Sequence, residues 1–394
     1  MDRDYSKIDP VDAPWLTAPS ACAVMDAIIA GGHSAYFVGG CVRNALLGAP
    51  VSDVDIATSA VPDQIMALAR DAGLKPVPTG IDHGTITVVS GGVGYEVTTF
   101  RRDVQTDGRR AVVAFSTDIS DDASRRDFTM NALYADRHGA VVDPLGGLPD
   151  LRARHVRFIE NADMRIREDY LRTLRYFRFH AWYGDTAQGM DPDALAAIAA
   201  NLDGLTTLSA ERIGAEVSKL LSAFDPSTAL AAMSQTGVLG TILSGADIRF
   251  VLLMIHSEQA LGVSRDWIGR LVALGGEDVP ERLRLSKAEQ QRYAIIHAAA
   301  YEGKCLLETS FDHGAAIAAQ AYLLRNALSE SMPDAEFIGT LRAAEAQVFP
   351  ISARDLMPAY QGAKLGARLA QLKSAWIASH FKLTKDALLS LPAP

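Results

Sequence analysis

Cysteine is nearly absent: Cys22, Cys41 and Cys305 are scattered through 394 residues. They follow no metal-ligand or disulfide spacing, which excludes a disulfide scaffold and predicts small buried fillers in a reducing cytoplasm. No apolar run reaches eighteen residues, so a membrane-spanning helix is excluded. Residues 1 to 19 carry Asp2, Asp4, Asp9 and Asp12 with Pro10, Pro14 and Pro19 and lack a basic start, predicting a loose leader rather than a signal or transit peptide. No repeat of fixed period stands out. Positive charge is also short overall: the net charge of -9 excludes a protein that coats nucleic acid indiscriminately. The exception is local. Residues 151 to 180 hold eight arginines against four carboxylates, a strip of +4 that leaves -13 for the remainder and is suited to RNA.

What is present is an ordinary globular composition, 48% hydrophobic and 22% charged, long enough for roughly two to four domains. The chain is organised around residues 36 to 60, YFVGGCVRNALLGAPVSDVDIATSA. Tyr36-Phe37-Val38 is a β-rich run. Gly39-Gly40 follows, where glycine permits a tight turn and close approach to a phosphate. Asn44 to Leu47 read as a short helix with anion-favouring amides, flanked by Arg43, whose fork suits phosphate oxygens. Asp53 and Asp55, two apart on an extended segment, direct both carboxylates to one face. Alone, Gly-Gly is a turn and Asp-x-Asp a solvated strand edge. In this order and spacing they describe a triphosphate cradle beside a Mg²⁺ site, the parts of metal-assisted nucleotidyl transfer.

Residues 20 to 30 and 62 to 72 read as helices, giving a strand-helix-strand-helix start of α/β character. Thr85 to Val89 and Tyr95 to Phe100 form a hairpin across Gly91 to Gly94. Its second strand carries Glu96, a candidate third carboxylate. Residues 103 to 114 resemble a mobile loop. In SRRDFTMNAL, residues 124 to 133, Arg126, Asp127 and Asn131 offer donors and acceptors for ribose and phosphates. After Pro149 no β alternation appears; helices are predicted over 163–183, 209–221, 227–233, 249–261 and 364–377. On the 163–183 helix, Asp169 and Arg172 lie three apart, about 60° on one face, and together imitate a base-pairing edge. Arg175 and Arg178 continue the interval. Asp169 and Arg172 are assigned to the base, Arg175 to its surroundings, and Arg178 to phosphate or to holding this template.

These motifs resemble the class II tRNA nucleotidyltransferases, the CCA-adding enzymes, and their relatives the bacterial poly(A) polymerases. VGGCVRNALLG with DVD is similar to the family's nucleotidyltransferase motif, YEVTTFR to its third-carboxylate strand, RRDFTMNAL to its ribose motif and EDYLRTLR to its EDxxR template. SAERIGAEVSKLL at 209 to 221 resembles the following helical motif; ISARDLM at 351 to 357 and the Gly366 helix resemble the tail.

The resemblance implies an α+β fold: a polymerase β-like nucleotidyltransferase head (20–152) followed by an all-α neck with the template (153–224) and an all-α body and tail binding tRNA (225–394). It implies addition of C, C and A to the tRNA 3′ end from CTP and ATP, with Mg²⁺ and no nucleic-acid template. Carried over by motif, Asp53 and Asp55 bind metal and Glu96 assists. Gly39, Gly40 and Arg43 hold the triphosphate, Arg126, Asp127 and Asn131 meet ribose or phosphates, and Asp169, Arg172, Arg175 and Arg178 form the nucleotide pocket. Asn44 stands where many members have Asp, and Tyr170 where many have Pro. No His-Asp phosphohydrolase motif is evident in the C-terminal half, so no phosphatase activity is expected. Poly(A) polymerase, or an enzyme adding only CC or only A, shares these motifs; a non-catalytic RNA-binding protein would not require Asp53, Asp55, Gly39, Gly40 and Arg43. Nothing in the sequence specifies an oligomeric state.

Overall fold

The computed structural model describes residues 11–107 and 110–392. The chain divides into two compact units, one of residues up to Leu208 with Gln235–Thr241, the other of Ser209–Ser234 with residues from Ile242 onward.

The first unit is built on a seven-stranded mixed sheet. In chain order its elements are α1 (Pro14–Thr17), α2 (Pro19–Ala30), β1 (Ala35–Val38), α3 (Gly40–Leu46), β2 (Asp55–Thr58), α4 (Pro62–Asp71), β3 (Lys75–Gly80), β4 (Thr85–Ser90) and β5 (Val93–Thr99). A two-stranded ribbon follows, β6 (Arg101–Asp107) and β7 (Arg110–Phe115), then α5 (Ile119–Ser124), β8 (Tyr134–Ala135) and β9 (Val141–Val142). Helices α6 (Leu148–Arg152), α7 (Ala162–Glu168), α8 (Leu171–Tyr183) and α9 (Pro192–Ala200) complete it. The strand order is β3-β4-β5-β2-β1-β8-β9. Among the described residues only β2 and β5 pair parallel; the strand-helix-strand start does not make a parallel βαβ unit, because β2 returns antiparallel to β1. Strand β4 alternates half-buried and buried positions, and β5 buries Tyr95, Val97 and Thr99 while Glu96 faces outward. That alternation sets which face carries chemistry.

Three expectations change here. Residues 103 to 114 are not a loop: Arg101–Asp107 and Arg110–Phe115 pair antiparallel, with a register shift between Asp103 and Gln105. The β-forming run Ala-Val-Val-Ala-Phe favours pairing, and Asp107-Gly108 is a hairpin-turn signature; Gly108 itself lies outside the described residues. The leader is anchored in its second half. Val11 is buried and its N–H donates to the Gly139 carbonyl at 2.8 Å, while Trp15 packs edge-on against Phe37 at 4.7 Å; residues 1–10 lie outside the described residues. Cys41 is a buried filler, its thiol pushed up to about 11 by burial, whereas Cys305 is exposed.

The second unit is helical: it holds α10 (Ala210–Leu221) and α11 (Ser227–Gln235) and, after α12 (Val238–Ile242), most of which belongs to the first unit, α13 (Ile248–Leu261), α14 (Trp267–Leu274) and further helices to residue 389. Gly214 on α10 lies so close to Leu283 that a Cβ there would sit 2.1 Å from its carbonyl oxygen. At its centre Arg270, fully buried, donates to Glu258 at 2.8 Å and to the carbonyls of Leu221 and Ala223 at the end of α10. Among the described residues no helix is long and apolar enough to cross a membrane.

Candidate active site

Val38, Asp55 and Glu96 form one row across three neighbouring strands. Val38 is Asp55's partner in the antiparallel β1–β2 pair, and Asp55 is Glu96's partner in the parallel β2–β5 pair. Neighbouring strands are about 4.8 Å apart, so Asp55 and Glu96 present their carboxylates side by side. Asp53 is not on the strand; β2 begins at Asp55, and Asp53 lies in the extended approach to it, accepting a 2.8 Å bond from the Ser52 hydroxyl. Asp53, Asp55 and Glu96 all line one cavity of about 640 Å³, together with Trp15, Ser52 and Thr87. Burial first, and then the Glu96 and Asp53 charges, push the Asp55 carboxyl above its ordinary value, with Arg126 opposing. A site that raises a carboxylate in this way favours a cation.

Among the described residues no group of three or more His, Cys, Asp or Glu closes on a common metal position. Hard divalent cations need fewer: one or two carboxylates with substrate phosphates and water complete the shell. Oxygen donors without thiolate or imidazole fit such an ion.

The glycine turn follows the same row. Gly39, after Val38, adopts φ 71°, ψ -117°, a conformation that disfavours any side chain, and opens α3. Its N–H donates to the Leu133 carbonyl at 3.0 Å, so Gly39 supplies backbone shape rather than a free donor. A Cβ at Gly39 would lie 3.1 Å from Nη1 of Arg126, and one at Gly40 would lie 3.9 Å from Nη2 of Arg43. Both arginines therefore border the turn.

Arg43 is buried, not splayed into solvent. Its Nε and Nη2 donate to Asn44 Oδ1 at 3.1 and 2.9 Å, Nη2 also to the Tyr183 hydroxyl at 2.8 Å, and Nη1 to Asn131 Oδ1. Burial pulls its pKa below the ordinary guanidinium value; Tyr183 and Asp127 oppose this, and Arg178 adds to it. Asn131 donates to Asp127 Oδ1 at 2.8 Å, and Asp127 Oδ2 accepts from Arg175 at 2.6 Å. The ribose motif and the template helix are thus joined by one hydrogen-bonded chain. Arg126 donates to Asp122 at 2.9 Å and to the Tyr134 hydroxyl at 3.2 Å. Burial raises the Asp122 carboxyl but Arg126 and Tyr134 outweigh it, holding it low.

The predicted helix over 163–183 is broken. α7 ends at Glu168, Asp169 is extended at φ -154°, and α8 begins only after Tyr170. The 60° relation between Asp169 and Arg172 therefore does not apply. Asp169 instead caps α8 from outside, its Oδ1 accepting from the Leu171 N–H at 3.1 Å and its carbonyl from the Arg172 N–H at 2.9 Å. Tyr170 helps to set the break: its ring lies on Gly204, where a Cβ would be 1.9 Å away. Arg172 pairs with Glu168 at 2.5 Å and donates to the Arg125 carbonyl at 3.1 Å. The Arg178 guanidinium lies 4.7 Å from the Phe179 ring centre, whose face also meets Arg43 at 5.0 Å.

Four residues of this network were not singled out from sequence: Asp122, Tyr134, Glu168 and Tyr183. Asp122–Arg126 and Glu168–Arg172 are pairs four apart, a signal that was available. Tyr183 sits at the end of the spacing Arg175, Phe179, Tyr183 on one face of α8.

Residues 35–157 match the Poly A polymerase head domain, and residues 189–248 match the probable RNA and SrmB-binding site of polymerase A. The CCA-adding enzyme of Geobacillus thermodenitrificans is 44% identical over 216 residues, 54% of this chain and 52% of that one. The mitochondrial CCA tRNA nucleotidyltransferase 1 of Mus musculus is 33% identical over 91% of this chain and 86% of its own length. The Levilactobacillus brevis CCA-adding enzyme is 32% identical over 93% and 95%. Among solved structures, the Bacillus stearothermophilus CCA-adding enzyme in complex with CTP superposes with a TM-score of 0.76 at 28% identity, covering 95% of this chain and 96% of that one. With the α+β fold, the Asp55–Glu96 row and this likeness along nearly its whole length, the chain belongs to the CCA-adding tRNA nucleotidyltransferase family, whose chemistry depends on a divalent metal.

Proposed function

We propose that this chain adds C, C and A to the 3′ end of tRNA from CTP and ATP, using Mg²⁺ and no nucleic-acid template, in the cytoplasm. The carrying observation is the in-register pairing of Asp55 with Glu96 at the mouth of a cavity that Asp53 also lines.

In this reading Asp53 and Asp55 hold the metal and Glu96 completes the acidic face toward the tRNA 3′-hydroxyl. Bound Mg²⁺ supplies charge neutralisation at the α-phosphate and leaving pyrophosphate and acidifies the attacking hydroxyl. Gly39 and Gly40 let the backbone approach the triphosphate, and Arg43 fixes it from beneath. Arg126, Asp127 and Asn131 meet ribose and phosphates. Asp169 and Arg172 read the base, Arg175 anchors α8 to Asp127 of the ribose motif, and Arg178 extends positive charge toward the cradle. The hydroxyl attacks in line, its proton leaving toward the carboxylate face as the bond to pyrophosphate breaks. The division into head 20–152, neck 153–224 and body with tail 225–394 belongs to the same proposal, the last part gripping tRNA.

The test uses tRNA lacking CCA, tRNA ending in CC and an unstructured RNA, with CTP, ATP or both, resolved to single nucleotides. Addition of two C and one A that then stops is expected, abolished in Asp53→Ala. Long A tails on unstructured RNA would make the enzyme a poly(A) polymerase; arrest after CC, or addition of A alone, would make it a partial-adding enzyme.

A further inference from the structure

Arg43 is held in an unusual manner. A buried guanidinium is ordinarily paired with a carboxylate, because an unpaired charge is costly to bury. Its hydrogen-bond partners here are all neutral oxygens, those of Asn44, Asn131 and Tyr183. Two aromatic faces complete the shell: Cζ lies 4.1 Å from the Tyr183 ring centre and 5.0 Å from that of Phe179. Asn44 is itself fixed, its Nδ2 donating to the Pro50 carbonyl at 2.7 Å. Neutral acceptors and π faces orient a cation without cancelling it. The charge stays available to a ligand at the glycine turn.

Tyr183 is the last residue of α8 and combines both devices, its hydroxyl accepting from Nη2 at 2.8 Å while its ring meets the guanidinium. At the opposite end of the same helical stripe, Arg175 binds Asp127, which reaches Arg43 through Asn131. The loop of contacts Arg175–Asp127–Asn131–Arg43–Tyr183 begins and ends on α8. We infer that Tyr183 is a positioning residue for nucleotide addition: it fixes the Arg43 guanidinium against the triphosphate and ties the phosphate cradle to the helix that carries the template. This rests on the proposed reading that Arg43 faces the triphosphate. Because the contact is made at the phosphate end, its effect is the same for both nucleotides.

The experiment compares Tyr183→Phe, Tyr183→Leu and Arg43→Lys in single-nucleotide addition of CTP and of ATP to the matching tRNA acceptors, with inhibition by inorganic pyrophosphate measured alongside. Tyr183→Phe keeps the ring and loses one hydrogen bond to a charged group, so KM for CTP and for ATP should both rise about tenfold. The pyrophosphate inhibition constant should rise in parallel, with kcat and the KM for tRNA within about twofold. Tyr183→Leu should exceed this; should it fail to fold, the isosteric Tyr183→Phe still decides. An unchanged KM in Tyr183→Phe beside a raised KM in Arg43→Lys overturns the role of Tyr183 and leaves the Arg43 reading standing. Unchanged values in both overturn the triphosphate reading itself. A rise for one nucleotide only, or equal losses in kcat and tRNA KM, also overturns the inference, the first pointing to the base pocket and the second to a general structural role.

Discussion

Asp55 is held above the ordinary carboxylate range by burial and by Glu96, and that has a cost to the empty protein. A folded pKa above the unfolded one gives a stabilising contribution that is complete below the unfolded value, about 3.9, and is lost as pH rises through the folded value. At neutral pH the ionised group therefore opposes folding. Asp55→Asn should raise the melting temperature in metal-free buffer by about 2 °C while abolishing nucleotide incorporation. Added Mg²⁺ should raise the wild-type melting temperature and leave the variant's nearly unmoved; a variant that melts lower than wild type without metal would contradict the argument. Asp122 and Asp127 behave oppositely, both held low by Arg126 and Arg175 against the effect of burial. Their contribution is present above the unfolded pKa and lost as pH falls through the depressed folded values. Asp122→Asn leaves Arg126 without its carboxylate and should cost about 3 kcal/mol at pH 7. Urea midpoints of variant and wild type should converge as the pH is taken from 4 toward 2.

At the scale of elements, close backbone approach explains why particular glycines stand where they do. Gly147, just before α6, has φ -83°, yet a Cβ there would lie 2.2 Å from the Thr129 carbonyl oxygen. Gly147→Ala should cost about 1–3 kcal/mol by overpacking, and by displacing the turn at Thr129–Asn131 it should raise nucleotide KM. Gly366, exposed in the 362–378 helix, has nothing within 4 Å of its missing Cβ. The same substitution there should stabilise by about 1 kcal/mol, as alanine does over glycine within a helix. Equal effects at the two sites in chemical denaturation would refute the packing argument. The hairpin of β4 and β5 was readable because alternation and a glycine turn are local signals. The break between α7 and α8 was not: Asp169-Tyr170 carries no proline or glycine, and the Tyr170 ring at the break packs on Gly204, 34 positions along the chain.

Across the whole molecule, every proposed catalytic and nucleotide-binding residue lies in the first compact unit. The second is organised about a buried pair, Arg270 and Glu258, both at most 1% exposed. Arg270 also satisfies carbonyls at the end of α10, so it links helices that a sequence reading treats separately. Arg270→Ala should destabilise this unit by about 3–5 kcal/mol, since it strands Glu258 and the carbonyls of Leu221, Ala223 and Phe224 without their donor. Replacing both by packed apolar residues, Arg270→Met with Glu258→Leu, should recover much of the loss in urea denaturation; a double variant no better than the single one would mean that the carbonyl bonds dominate.

By itself the sequence determined the parts: the strand-glycine-helix start, the Asp53–Asp55 spacing, the β hairpin bearing Glu96, the arginine strip and the passage to helices after Pro149. Those are properties of neighbouring residues, set by backbone preference and side-chain periodicity. Only the tertiary structure decided that Asp55 pairs with Glu96 in a parallel ladder, that Arg43 is buried among neutral oxygens and aromatic rings, and that Arg175 pairs with Asp127. The ribbon at 101–115 likewise followed from pairing, not from local flexibility. Register, burial and ion pairing join residues distant in the chain, and their energies depend on which partner arrives; local pattern does not carry that information.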